Sequence, residues 1–192
     1  NNINGVVTYS GAIYHCKCVV LATGTYLKAR CIYGDISNET GPNGLQSATH
    51  LTDSLKELGI EILTYSKSIG PITIDETRFD AAEITKNPLY MPDADAAAKA
   101  ASYLEECKAM QNSAGGIIEC VITGVPAGIG DPVFEKIDAN LAKAIFSIGA
   151  VKGFEIGDGF EAAASLGSQD NDCFIIGKDG RPCKVTNHSG GT

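Results

Sequence analysis

Arginine is scarce in this sequence, with three residues in 192, at Arg30, Arg78 and Arg181. Because they are widely separated, they do not form an evident bidentate clamp for a multiply charged anion. Runs of lysine and arginine are absent too, and the formal net charge is −8. Nucleic-acid binding depends on clustered basic side chains that displace counterions, so the composition excludes a broad phosphate-tracking surface. We therefore expect no nucleic-acid partner.

Long apolar runs are also absent. The longest run, Cys18 to Ala22, is far shorter than the roughly 20 residues that span a bilayer. A basic segment followed by an apolar one, as in a secretory signal, does not open the sequence. These features predict a cytoplasmic protein without membrane contact.

The cysteines fit neither a disulfide framework nor a metal site. There are seven of them, an odd number, and they are scattered along the chain. Cys16 and Cys18 are separated by one residue, which suits alternation on a strand better than the spacing of a zinc ligand pair. We expect no bound metal.

Hydrophobic residues make up 44% of the chain, enough for one ordinary core or two small ones. Periodicity and turn residues predict strands mixed with helices, an α+β arrangement. The predicted helices are Leu51–Leu58, Asp93–Met110, one that starts at Asp131-Pro132 and carries Ile137, Leu141, Ile145 and Ile148 on one face, and Phe160–Leu166. The predicted strands are a hairpin around Ser10-Gly11 that leads to Ala22, then Ile60–Tyr65, Ile69–Ile74, Ile117–Ile122, Val151–Ile156 and a hairpin over Phe174–Val185, with Tyr26–Gly44 as a loop.

An apolar strand that closes on Thr-Gly, Val19 to Gly24, is the arrangement by which flavin dinucleotide proteins bring their backbone close to the cofactor. By itself, without an upstream GxGxxG, it is more typical of a buried strand with a turn glycine. The longer text VVLATGTYLKARCIYGD, followed by TGPNGLQSATHLTDSLKELGIEI, resembles the FAD-binding domain of the GidA/MnmG-type tRNA uridine carboxymethylaminomethyl modification flavoproteins, over about Asn2 to Glu61. A flavin contact of that family falls at or next to Ala48, where the expected serine is replaced.

A second resemblance covers about Leu58 to Thr192. The stretches NPLYMPD, GVPAGIGDPVF, AVKGFEIGDGF and TNHSGGT are similar, in this order, to the central portion of chorismate synthase. The resemblance implies an α+β sandwich of helices and antiparallel sheets that assembles as a homotetramer. It implies a reduced FMN-dependent elimination of phosphate from 5-enolpyruvylshikimate 3-phosphate to give chorismate. The alternative is a fragment of an FAD-dependent protein that modifies the wobble uridine of tRNA.

Carried over residue by residue, the family's FMN-contacting pair falls on Gly149 and Ala150. Small residues at a helix end let the backbone approach a flavin closely. The structural alternative for Gly149 is a plain helix C-cap.

The remaining candidate residues favour structural roles. His188 is predicted to order its loop, because the catalytic histidines of the chorismate synthase family belong to a part that has no counterpart in this sequence. His15 and His50 have no partner in sequence, and Asp158, between two glycines, is predicted to form a turn. The loop from Gly124 to Gly130 lacks the Gly-Lys-Ser/Thr of a phosphate loop.

The two resemblances predict a division into residues 1–61 and 62–192, with the junction between Leu55 and Ile62. The implied substrate carries a phosphate and two carboxylates, and three scattered arginines cannot replace a cationic cluster. We therefore expect the chain to be catalytically inactive when isolated.

Overall fold

The computed structural model describes residues 4–8, 10–16, 31–33, 36–40, 53, 56–126, 128–131, 133–177, 180 and 182–190. The chain divides into two compact units, one of residues 54–126 and the other of residues 1–53 with 127–192. Each unit is described separately. The predicted strand Val19–Gly24 and the residues Arg30, Ala48, His50 and Arg181 lie outside the described residues.

The unit of residues 54–126 contains a three-stranded antiparallel sheet and one long helix. The strands are β5 (Glu61–Ile69), β6 (Ile72–Thr73) and β7 (Gly116–Thr123), in the order β6-β5-β7. The prediction of two strands that end and begin at Tyr65 and Ile69 was wrong, because β5 continues through this stretch with a register shift between Ser66 and Ser68. A bulge of this kind keeps a strand paired while it redirects one side chain. Here Lys67 Nζ reaches Glu119 Oε2 at 2.7 Å.

Helix α1 (Ala94–Ala109) confirms the prediction for Asp93–Met110. Asp93 is its N-cap and accepts hydrogen bonds from the N–H groups of Asp95 and Ala96. Ala101, at helical spacing from Ala97, is nevertheless exposed. The buried residues of the helix are Ala96, Ala97, Ala100 and Cys107.

The core of this unit lies between α1, the C-terminal half of β5 and the segment that joins β6 to α1. Its alanines let the helix approach closely, while the larger side chains fill the space. Tyr65 packs edge-on against Phe79, with ring centroids 5.1 Å apart. The buried cluster consists of Tyr65, Ile74, Ile84, Met91, Ala96, Ala97 and Ala100.

The other unit begins with two short antiparallel pairs. Strands β1 (Val6–Val7) and β2 (Ile13–Tyr14) confirm the first predicted hairpin. Strands β3 (Cys31–Tyr33) and β4 (Ile36–Asn38) correct the predicted loop at Tyr26–Gly44. The β-branched and aromatic residues Ile32 and Tyr33 favour extended backbone despite the turn-forming residues around them.

The segment from residue 128 onward has short elements. Helix α2 (Ile137–Phe146) begins later than the predicted Asp131-Pro132, because Asp131 forms a bridge with Glu135 instead. A 3₁₀ helix (Gly159–Ala164) and α3 (Gly167–Asp170) replace the predicted helix Phe160–Leu166. Val151–Ile156 forms no regular secondary structure and pairs with no strand among the described residues, so that prediction was wrong. Strands β8 (Phe174–Ile176) and β9 (Pro182–Lys184) confirm the last hairpin.

Across the described residues, every helix is too short or too polar to traverse a bilayer.

Candidate functional site

Gly149 and Ala150 lie on exposed backbone just after α2. The helix ends at Phe146 with Ser147 as its C-cap, so Gly149 is not the cap residue itself. Ala150 has φ of 69°, a left-handed conformation that non-glycine residues rarely adopt. A side chain at Gly149 would meet no atom within 4 Å. Neither backbone N–H donates a hydrogen bond within the described part of the chain, which leaves two exposed donors side by side.

The turn at 157–159 and the loop at 186–190 are in direct backbone contact. Gly157 and Gly159 have positive φ, of 60° and 56°, as the predicted tight turn requires. A Cβ atom at Gly157 would overlap the carbonyl oxygen of His188 and the N–H of Gly190. The N–H of Asp158 donates to that same carbonyl of His188 at 2.8 Å. Two sequence motifs, AVKGFEIGDGF and TNHSGG, therefore meet in the fold.

Asp172 organises the loop at 186–190. Its side chain is 1% exposed, the one buried side chain among the described residues of its unit. Oδ1 accepts from the Thr186 hydroxyl and the His188 N–H, both at 2.7 Å, and Oδ2 accepts from the Ser189 N–H at 3.1 Å. Lys184 Nζ lies 3.4 Å from Oδ2. The carboxylate therefore binds three positions of one loop.

The environment of Asp172 favours its ionised form. Burial by itself raises the pKa of the Asp172 carboxyl. The hydrogen bonds from the Thr186 hydroxyl and from the N–H groups of His188 and Ser189 act in the opposite direction, and they hold the pKa well below its usual range. The buried group is therefore an anion at neutral pH, and it is compensated by donors from the loop.

His188 and Asp158 form a second link between the loop and the turn. Nδ1 of His188 lies 2.7 Å from Oδ2 of Asp158, and an ionised carboxylate can only accept, so Nδ1 carries the hydrogen. This arrangement fits the loop-ordering role predicted for His188 and the turn predicted at Asp158. Sequence reasoning did not identify their contact, and it missed Asp172 altogether, because residues 14 to 30 positions apart give no local signal.

The unit of residues 54–126 has its own polar cluster, centred on Arg78. Its guanidinium donates to Asp93 Oδ2 at 3.0 Å and to Asp95 Oδ2 at 2.8 Å, and it also lies 3.6 Å from Asp75. Burial by itself raises the pKa of the Asp93 carboxyl. The backbone N–H donors of Asp75 and Ala96 and the nearby Arg78 lower the pKa by more than burial raises it, so the net shift is downward. Arg78 is therefore engaged by carboxylates rather than presented to an anion.

His15 lies beside β2, with no hydrogen-bond partner in the described residues. The loop after β7 contains Gly124, where a Cβ atom would overlap the carbonyl oxygen of Gly59. This glycine is needed for backbone packing.

The helices and antiparallel strand pairs of the described residues define a mixed helix and antiparallel-sheet protein. A solved structure titled "Crystal Structure of Chorismate Synthase" shares this fold with a TM-score of 0.67 and 30% identity, over 73% of this chain and 46% of that chain. A family model described as chorismate synthase matches residues 47–192, a stretch that begins before the predicted Leu58.

The chain belongs to the chorismate synthase family. The chorismate synthase of Agathobacter rectalis is 67% identical over 138 residues, which cover 72% of this chain and 37% of that protein. The chorismate synthase of Lachnoclostridium phytofermentans is 62% identical over 137 residues, which cover 71% of this chain and 37% of that protein. The chain thus spans little more than a third of the length of the relatives it matches.

Proposed function

We propose that this chain provides the central part of a chorismate synthase, a lyase of aromatic amino acid biosynthesis. The reaction eliminates phosphate and a ring hydrogen from 5-enolpyruvylshikimate 3-phosphate to give chorismate and depends on reduced FMN. The identity of 67% over 138 residues to the A. rectalis enzyme carries this proposal. A homotetramer is part of the proposal, by family.

Gly149 and Ala150 are the proposed FMN contact. The residues fit the group, since two exposed N–H donors stand together where no side chain fills the space beside Gly149. Such donors suit the carbonyl oxygens and ring nitrogens of a flavin. Reduced FMN, when bound, would assist an elimination that is redox-neutral overall, so the flavin is not consumed. The backbone of this chain would orient it.

The cationic clamp for the substrate is not assigned to Arg78. A substrate with a phosphate and two carboxylates requires several cations. Arg78 is already shared by Asp75, Asp93 and Asp95, so a substrate would have to displace three carboxylates to reach it. We assign to Arg78 a structural role at the start of α1, and to the described residues a contribution to flavin contact.

A matched pair of glycine variants tests the flavin contact. Gly149 and Gly153 lie in the same exposed segment, and a side chain at either would meet no atom within 4 Å. We expect Gly149→Leu to raise the Kd for FMN by at least about tenfold, because the new side chain would occupy the flavin's approach. Gly153→Leu should leave the Kd unchanged. Equal effects of the two variants in a flavin-fluorescence titration would contradict the assignment.

A segment exchange tests the activity. Residues 47–192 would replace the equivalent segment of the A. rectalis enzyme, and chorismate formation would be measured with reduced FMN under anaerobic conditions. We expect the hybrid to retain activity within about tenfold of the parent enzyme, since most core substitutions between close relatives preserve volume. A folded, tetrameric hybrid without activity would refute the proposal.

The GidA/MnmG-type resemblance of residues 2–61 stays a prediction. Ala48 and the strand Val19–Gly24, which would carry an FAD contact, lie outside the described residues. FAD binding by a chain from which residues 64–192 have been deleted would favour this alternative.

A further inference from the structure

The described residues of 127–192 are held together by polar contacts more than by an apolar core. Asp172 is the one buried side chain there, and large apolar side chains such as Phe134, Phe160 and Phe174 are 86%, 80% and 68% exposed. A loop in such surroundings is fixed by its hydrogen bonds. The carboxylate of Asp172 provides four contacts within 3.4 Å, three of them from the 186–190 loop.

The loop in turn fixes the turn at 157–159. The Asp158 N–H donates to the His188 carbonyl, and the His188 ring donates to the Asp158 carboxylate, so the contact is made in both directions. Gly157 and Gly190 lie so close that a Cβ atom on Gly157 would overlap Gly190. Asp172 does not touch the turn itself. Its effect on the turn passes through the loop.

The turn is one end of the segment that starts at the proposed flavin contact. Between Ala150 and Gly157 the backbone forms no regular secondary structure, and it pairs with no strand among the described residues. The first N–H after Ala150, that of Val151, makes only a long hydrogen bond of 3.5 Å back to Ile148. The segment is therefore secured at its start by α2 and at its end by the turn.

We propose that Asp172 is a positioning residue: it holds the 186–190 loop against the turn at 157–159 and thereby fixes the far end of the segment that begins at Ala150. This inference rests on the proposed flavin contact for its functional consequence. Its structural step, from Asp172 through the loop to Asp158, does not depend on that contact.

The test uses the full chain with Asp172→Asn and a matched control, Asp93→Asn. Both aspartates are buried and accept backbone hydrogen bonds, but Asp93 caps α1 in the other unit. The amide introduced by Asp172→Asn would present N–H groups to the loop donors, so we expect the Asp158 N–H to lose its protection from hydrogen exchange. We also expect the Kd for FMN to rise about tenfold, as for the loss of one charge-assisted hydrogen bond. Asp93→Asn should alter neither quantity.

Positioning is distinguished from general destabilisation by a spectroscopic readout. At saturating FMN, the visible circular dichroism of the bound flavin should change in Asp172→Asn and remain unchanged in Asp93→Asn. Should Asp172→Asn fail to fold, Thr186→Val removes one donor at 2.7 Å from Asp172 while it preserves side-chain shape, and smaller changes in the same direction are expected. Unchanged FMN affinity and unchanged Asp158 protection in the folded variants would overturn the inference.

Failure of the proposed flavin contact gives a separate result. If the unsubstituted chain does not bind FMN, the contact at Gly149 and Ala150 is refuted. Hydrogen exchange at Asp158 then decides the positioning step alone. Loss of protection in Asp172→Asn supports the step, and retained protection overturns it.

Discussion

Replacement of Asp93 by alanine is expected to lower the stability of the 54–126 unit more than the small size of its side chain would indicate. Its side chain is fully enclosed, and Oδ1 caps α1 while Oδ2 accepts from the Asp75 N–H and from Arg78. Replacement by alanine removes an N-cap, at about 0.5 to 2 kcal/mol. It also removes the carboxylate oxygen that accepts from the Asp75 N–H at 3.0 Å, and a hydrogen bond to a charged group contributes about 1.5 to 3 kcal/mol. Together these terms predict a loss of about 3 kcal/mol.

Asp95→Ala is the matched control. Asp95 carries the same charge in the same turn and also pairs with Arg78, but its side chain is 70% exposed. Exposed ion pairs and first-turn charges each contribute less than about 1 kcal/mol, so a small change is expected.

The two variants are compared by native-state hydrogen exchange at the amides of α1, which reports the free energy of opening of this helix. A loss of about 3 kcal/mol would reduce the ratio of closed to open molecules more than a hundredfold in Asp93→Ala. If the free energy of opening of α1 falls no more in Asp93→Ala than in Asp95→Ala, the buried cap does not stabilise the helix and the reasoning is wrong.

Two further predictions follow from the described contacts. Gly70→Ala should destabilise the protein by about 1 to 3 kcal/mol in denaturant unfolding, because Gly70 has φ of 54° and an added Cβ atom would overlap the Tyr103 ring. Gly115→Ala is the control. An added Cβ atom at Gly115 would meet no atom within 4 Å, so this variant should change stability by less than about 0.5 kcal/mol. The lowered pKa of Asp172 means that its stabilising contribution is fully present above 3.8, its ordinary value, and is lost as the pH falls below it. Exchange rates of the loop amides should therefore rise below that pH in the natural chain but not in Asp172→Asn, and identical profiles would contradict the assignment.

Elements with strong local signals were predictable from the sequence. Helix α1 has an aspartate cap, an alanine-rich interior and a glycine pair beyond its end, and all of these act within a few residues. Strand β7 and the hairpin of β8 and β9 have apolar residues between turn formers. The turn at 157–159 follows from its two glycines.

Features that depend on distant residues were not predictable. The bulge at Lys67 could not be predicted, because it depends on the pairing of β5 with β7, the strand that carries Glu119. Asp131-Pro132 is a good local start for a helix, but the bridge to Glu135 delays it. Val151–Ile156 has strand-like residues, yet a strand requires a partner, and the described residues provide none.

The candidate site shows the same distinction. Gly149 and Ala150 were predicted as a flavin contact from the family resemblance, and that role stays a prediction; their exposed N–H donors are known only from the structure. The role of Asp172 could not be predicted from its neighbours, because an aspartate next to Asn171 is typical of an ordinary turn. Its burial depends on Thr186 and His188, which approach it only in the folded chain.

The contrast between an apolar cluster around Met91 and a buried anion at Asp172 has a consequence for temperature. Apolar burial loses strength on cooling, because its driving force near ambient temperature comes from water. Hydrogen bonds to an enclosed carboxylate do not share that origin. Cooling should therefore loosen the packing around Met91 before it releases the loop at Thr186, so the two units should differ in their sensitivity to cold.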